Sequence, residues 1–133
     1  MAETIRTGGC FCGQVRFEAR GAPVNVRVCH CTLCQRALAG PFNARALYDS
    51  PRVTLAGELG RFHSSEALQR LFCPRCGTRV GAERAAANRT SLSLALFDPP
   101  TDLAPECHFF VAFKAPWLTL GDDLPQYDEW PPD

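Results

Sequence analysis

The sequence predicts a mainly β fold, zinc-stabilised, with antiparallel sheets folded on each other and one short helical turn. Three observations carry that prediction. Apolar residues alternate with polar ones at period two in several short runs, as half-buried strands require. Turn-forming residues separate those runs at close intervals. Eight cysteines fall into short-spaced groups within 133 residues, and reduced thiols at such spacings read as metal ligands.

The first alternating run sets Val15, Phe17 and Ala19 against Gln14, Arg16, Glu18 and Arg20. The second sets Val24, Val26 and Val28 against Asn25, Arg27 and Cys29. Extended through residue 31, that strand brings Cys29 and Cys31 onto the face opposite the valines, and His30 falls on the valine side as a core histidine. A helical turn is expected from Thr32 to Leu38, with Thr32 as its N-cap. Two later strands are expected where Leu92, Leu94 and Leu96 alternate with Ser91, Ser93 and Ala95, and where Phe109, Val111 and Phe113 alternate with His108, Phe110, Ala112 and Lys114. Breaks fall at Gly21-Ala22-Pro23, Asp49-Ser50-Pro51, Ala56-Gly57-Glu58 and Asp98-Pro99-Pro100.

The length suits one domain. Residues 1–120 read as a single zinc-binding β domain, and residues 121–133 as an acidic, Pro-rich C-terminal tail. The formal net charge is zero, from 14 bases and 14 acids. Five acids (Asp122, Asp123, Asp128, Glu129, Asp133) follow Leu120 with no base among them, so the body before the tail is moderately positive and better suited to a small anionic ligand than to a cation. Overall neutrality, with no Lys-rich stretch interleaved with aromatics, argues against a nucleic-acid partner. No apolar run is long enough to span a membrane, and Met1-Ala2-Glu3-Thr4-Ile5-Arg6 lacks the apolar core of a secretory signal. The expected location is cytoplasmic, where thiols stay reduced.

The cysteines form three groups: Cys10-Phe11-Cys12, Cys29-His30-Cys31-Thr32-Leu33-Cys34, and Cys73-Pro74-Arg75-Cys76-Gly77. The third has the form of a zinc knuckle, in which two thiolates three apart grip one ion around a tight turn that Gly77 permits. A closed tetrahedral site needs two more ligands. Cys10 and Cys12 are the matching pair, giving one structural site of Cys10, Cys12, Cys73 and Cys76. Cys29, Cys31 and Cys34 remain, an incomplete tetrahedron of the sort that keeps a position for water or substrate in catalytic sites. Cys107, His30, His63 and His108 are the alternatives for a fourth ligand that would close it. His63 and His108 are also candidate proton carriers, since an unperturbed histidine titrates near neutrality.

Taken together, these motifs resemble the glutathione-dependent formaldehyde-activating enzyme family, which includes the centromere protein V type. The resemblance runs from about Arg6 to Tyr127. It rests on Gly9-Cys10-x-Cys12-Gly13, Cys29-His30-Cys31-x-x-Cys34, Gly40-Pro41-Phe42, Phe62-x-Ser64-Ser65, Arg70-x-Phe72-Cys73-x-x-Cys76-Gly77, Asp98 and Ala115-Pro116-Trp117. It implies a β-tent-like fold with two Zn2+ per chain, a structural ion on Cys10, Cys12, Cys73 and Cys76 and an active-site ion on Cys29, Cys31 and Cys34. It further implies a carbon–sulfur lyase that interconverts S-(hydroxymethyl)glutathione with glutathione and formaldehyde, so that the partner is a small thiol such as glutathione. Two positions depart from the family pattern. Gln35-Arg36 stands where a basic pair is common after the triplet, and Phe62 stands where Tyr is common.

In that activity, zinc held by three thiolates carries a formal charge of −1, which weakens it as a source of hydroxide and favours holding a substrate thiolate or polarising an aldehyde oxygen. His63 or His108 is the expected catalytic base, and Arg36 the expected substrate-binding residue, beside the helix start. The alternative is a non-catalytic zinc-stabilised binding module, which a fourth protein ligand at the second site would favour.

Overall fold

The structure, a computed structural model, describes residues 3–132. Met1, Ala2 and the tail acid Asp133 lie outside the described residues. The strands are β1 (Ile5–Gly9), β2 (Arg16–Arg20), β3 (Asn25–Cys29), β4 (Asn43–Asp49), β5 (Val53–Ala56), β6 (Gly60–His63), β7 (Gln69–Phe72), β8 (Arg79–Arg84), β9 (Arg89–Ser93) and β10 (His108–Phe109). The helix α1 (Thr32–Leu38) follows β3. A small sheet runs β1-β2-β5, and a larger one runs β10-β3-β4-β9-β8-β7-β6. Among the described residues every pairing of these strands is antiparallel except β10 with β3, which is parallel.

Alternation decides what lies between the sheets. On β2, Phe17 and Ala19 are buried while Arg16 and Glu18 are exposed. They meet Val26 of β3, Ala46 and Tyr48 of β4, Leu71 of β7, Val80 of β8 and Leu92 of β9 in one apolar cluster. Phe97 joins it, its ring edge-on to Phe17 at 5.1 Å between centroids.

Two expected strands are shorter than their periodicity implied. Leu94–Leu96 form a 3-10 turn rather than continuing β9. Strand pairing with β4 ends at Ser93 opposite Arg45, and the chain then turns so that Phe97 bridges to Gly8 of the small sheet. Val111–Phe113 also form a 3-10 turn. Phe110 takes a left-handed backbone (φ 55°) that ends β10 after two residues. The alternation there is genuine, but the chain reverses before it becomes a strand.

The segment after Gly121 lies along β10. Pro125 O accepts from His108 N at 2.9 Å, and Tyr127 exchanges backbone bonds with His108 and Val111 at 3.0 Å each. Among the described residues no helix is long and apolar enough to cross a membrane.

The close approach of β8 and β9 depends on Gly81, where an added Cβ would sit 2.0 Å from Ser91 O of the neighbouring strand. Gly81→Ala is therefore expected to lower stability by about 1–3 kcal/mol, the usual cost of overpacking. Chemical denaturation checks this, and an unchanged midpoint would contradict it.

Candidate active site

Cys10 and Cys12 lie in the loop joining β1 to β2, and Cys73 and Cys76 in the turn joining β7 to β8. Each loop is folded by its own backbone bonds, Cys10 N to Val15 O at 3.0 Å and Gly77 N to Cys73 O at 2.8 Å. Gly13 and Gly77 supply the left-handed positions (φ 83° and 79°) that such turns need. Phe11 N donates to Thr78 Oγ1 at 3.1 Å and joins the two loops.

The four Sγ atoms lie within 4.8 Å of one another. Cys10 and Cys12 are 3.6 Å apart, and Cys12 and Cys73 are 3.9 Å apart. A tetrahedron with metal–sulfur bonds of about 2.3 Å has edges of about 3.8 Å, so the donor set fits zinc. These separations are far beyond a disulfide bond, and all eight cysteines are free. Donors aim at the sulfurs as thiolates require: Val15 N at Cys10 Sγ (3.2 Å), and Cys76 N and Gln14 Nε2 at Cys73 Sγ (3.4 and 3.5 Å). The Thr78 hydroxyl is the main influence drawing the Cys76 thiol down to about 5.

The second group is Cys29, Cys31 and Cys34, also within 4.8 Å of one another. Cys29 ends β3, and Cys31 and Cys34 start α1. The N-cap is Cys31 and not Thr32: its Sγ accepts from Cys34 N at 3.3 Å. A sulfur that accepts this bond carries negative charge well. Hydrogen bonding from the Cys29 thiol, then from Cys34, pulls Cys31 well below the ordinary thiol range, while the same contact raises Cys29. Among the described residues the group stops at three donors. Cys107 is buried outside both groups.

The two groups differ in what surrounds them. Cys29, Cys31 and Cys34 open onto a cavity of about 690 Å³, a size typical of small-molecule sites, whereas the four-thiol group does not line it. The cavity floor is the outer face of the large sheet. Arg27 of β3, Arg45 of β4, Arg70 of β7, Arg84 of β8 and Arg89 of β9 all line it, and no carboxylate does among the described residues.

Register sets arginines against one another. Arg27 lies opposite Arg45, and Arg84 opposite Arg89. Like charges directly across a sheet destabilise it unless something offsets them. Glu106 lies 3.6 Å from Arg27, and Asp49 pairs with Arg89 at 2.9 Å. Arg45 bonds to Asn25 and sits over the Phe109 ring at 5.4 Å. Burial first, then the charge of Arg27, holds Arg45 below its usual value. Arg70 is buried, with Nε on Ser64 Oγ at 2.9 Å and Nη2 4.0 Å from Cys34 Sγ.

Three sequence-predicted site residues lie elsewhere. Arg36 is exposed on α1 and outside the cavity lining. His63, on β6, is exposed and meets Gln69 at 3.5 Å, also outside the lining. His108 is buried behind the cavity with both ring nitrogens engaged, Nδ1 with His30 Nε2 at 2.8 Å and Nε2 with Asp122 Oδ2 at 2.7 Å. His30 is fully buried and faces His108 rather than the thiols, as a core histidine would. Of the cavity arginines, only Arg70 stands in the motifs of the sequence, without a role attached to it. The signal for Arg27 lay in the alternation that puts it on the Cys29 face. Arg70 gave no such signal, since both it and the adjoining Leu71 are buried.

A family model described as glutathione-dependent formaldehyde-activating enzyme matches residues 5–113. An uncharacterized lyase of Schizosaccharomyces pombe is 31% identical over 73 residues, covering 55% of this chain and 53% of its own. The chain thus matches about half the length of that relative. A crystal structure of a Rhodobacter sphaeroides protein is similar in fold, with a TM-score of 0.56 at 22% identity over 72% of this chain and 91% of that one.

The donor geometry predicts different consequences for the two groups. Cys73→Ser removes a vertex of the closed set. It is expected to unfold the protein at room temperature, because metal-linked folding energy in such sites runs to about 10 kcal/mol or more. Cys31→Ser keeps an N-cap, since Ser accepts the same bond, and should melt within a few degrees of the parent while losing one metal per chain. Melting curves with elemental analysis check both, and equal losses of stability would contradict the difference.

Proposed function

The chain belongs to the glutathione-dependent formaldehyde-activating enzyme family, and on that premise we propose that it is a zinc-dependent carbon–sulfur lyase. It cleaves and forms the hydroxymethyl adduct of a small carboxylate-bearing thiol, with S-(hydroxymethyl)glutathione as the family's substrate. The observation that carries this reading is the three-thiol group opening onto a cavity floored by arginines.

Cys10, Cys12, Cys73 and Cys76 would hold a structural zinc, and Cys29, Cys31 and Cys34 an active-site zinc with one position left for an exogenous ligand. Bound there, the ion supplies Lewis acidity that stabilises a thiolate at neutral pH. The protein's own residues do the rest. Arg27, Arg45, Arg84 and Arg89 bind and orient the carboxylates of the thiol, which converts a collision into a positioned encounter. Arg70, held by Ser64, sets a buried positive charge beside Cys34, where the leaving sulfur gains charge in the cleavage direction.

The step itself is simple. The C–S bond breaks, its electron pair goes to sulfur, the hydroxyl proton leaves and the C=O bond forms. No histidine, lysine or carboxylate lines the cavity among the described residues, so we assign the proton to solvent water entering at the mouth rather than to His63 or His108. Carboxylate binding likewise falls to the sheet arginines and not to Arg36, which lies outside the lining.

The test is the rate of adduct formation from glutathione and formaldehyde on zinc-loaded protein, followed by NMR against the spontaneous reaction. Acceleration that disappears on chelation is expected, and no acceleration at any concentration would sink the lyase reading in favour of a binding module. Arg70→Gln should lower kcat/KM by about 100-fold, as losing one preorganised charge at a developing anion does, with the chain still folded and its metal content unchanged. A loss below about threefold would remove Arg70 from the mechanism.

A further inference from the structure

The cavity has a second kind of wall that a one-carbon adduct would leave bare. Phe109, Phe110, Phe113, Leu33 and Trp130 line it along with the arginines. Several of them are not packed away. Trp130 is 65% exposed, Leu33 58% and Phe113 50%. Large apolar side chains gathered in the open at one cavity are the mark of a binding surface rather than of a core.

This wall is built, not incidental. Phe110 holds a left-handed backbone that non-glycine residues rarely adopt. Its ring meets Trp130 edge-on at 5.1 Å, and Phe109 lies 5.7 Å from the same indole. The segment carrying Trp130 is tied down by Phe110 N to Glu129 O and Val111 N to Tyr127 O, both at 3.0 Å, and by the Asp122 carboxylate on His108. Trp130 also lies beyond residues 5–113, the extent of the family match. Trp130 therefore completes, from outside the matched region, a wall whose phenylalanines lie within it.

We propose that the preferred ligand is an S-conjugate of a carboxylate-bearing thiol whose sulfur carries an apolar or aromatic group larger than hydroxymethyl, and that Trp130 is the residue selecting it. The proposal rests on the reading of the three-thiol cavity as the reacting site. The arginine floor takes the carboxylates, and the aromatic wall takes the group derived from the carbonyl partner. Aromatic contact with Trp130 and the phenylalanines adds affinity through burial and ring stacking that a hydroxymethyl group cannot match.

The experiment is calorimetric titration of the zinc-loaded full chain with two uncleavable analogues, S-benzylglutathione and S-methylglutathione. S-benzylglutathione is expected to bind about tenfold tighter or more, a typical return for filling an apolar pocket. Trp130→Ala should bring the two affinities to within about twofold, and Trp130→Phe should restore most of the preference. Arg84→Ala should weaken both ligands alike and leave their ratio intact. Equal affinities in the parent, no binding of either, or a ratio that Trp130→Ala leaves unmoved at unchanged melting temperature would overturn the proposal. Its failure is separable from failure of the lyase reading. Accelerated formaldehyde adduct formation without benzyl preference overturns the proposal and keeps the lyase. Benzyl preference that Trp130→Ala abolishes, without accelerated adduct formation, removes the lyase reading alone and keeps the Trp130 selectivity as that of a binding cavity.

Discussion

Strand register in the large sheet is the constraint on which the rest of the molecule depends. Side chains alternate between two faces, so a slip of one residue exchanges them completely. On β4 the exchange would carry Arg45 into the apolar cluster and expel Ala46 and Tyr48, both fully buried there. On β9 it would trade Leu92 for Ser91, which lines the cavity. The core and the cavity are two faces of one pattern, and stability of the first enforces geometry of the second. The four-thiol group reinforces it at one end, because it joins the β1–β2 loop to the β7–β8 turn, and β7 and β8 carry Arg70 and Arg84.

The charge arrangement follows from this register. Arginines opposed across strands raise the energy of the free protein, and burial of Arg45 adds to it. The Cys31 thiol, held below the ordinary range by its neighbours, offsets part of that cost at one end of the cavity. Glu106 beside Arg27 and Asp49 on Arg89 offset more of it from outside the cavity lining. On the proposed function, an anionic thiol bound on this face would offset the remainder, and binding energy supplied there would be available to orient the reacting sulfur.

Much of this was legible in the residues, and the parts that were not have physical reasons. The alternation in β2 and β3 is plain because each has one apolar and one polar face. The same is less true of β4, where Leu47 faces the cavity and Ala44 and Ala46 are too small to mark the core side. The helix from Thr32 to Leu38 is legible from its position after the triplet, but its cap is a sulfur, Cys31, where side-chain preference points to the Thr32 hydroxyl. The cysteine groups were readable because metal-ligand spacing is local. The arginine floor was not, because its members come from five strands and meet only through pairing between strands distant in sequence. Arg36 and the histidines attracted attention for their nearness in sequence or their chemistry, and neither property brings a side chain into a cavity.

The aromatic wall was hidden for a related reason. Phe109, Val111 and Phe113 carry a strand's periodicity, yet the left-handed Phe110 breaks it and turns two phenylalanines toward the cavity. The residues that hold this turn belong to the acidic tail, which composition alone marks as solvated surface. Its described acids are exposed, but its backbone continues the hydrogen bonding of β10 where that strand would otherwise leave an open edge. One short segment therefore closes a sheet edge and carries an indole to the cavity wall. Those two roles share the same bonds, so a change in tail sequence that kept the backbone pairing could alter the ligand while leaving the metal groups and the core untouched.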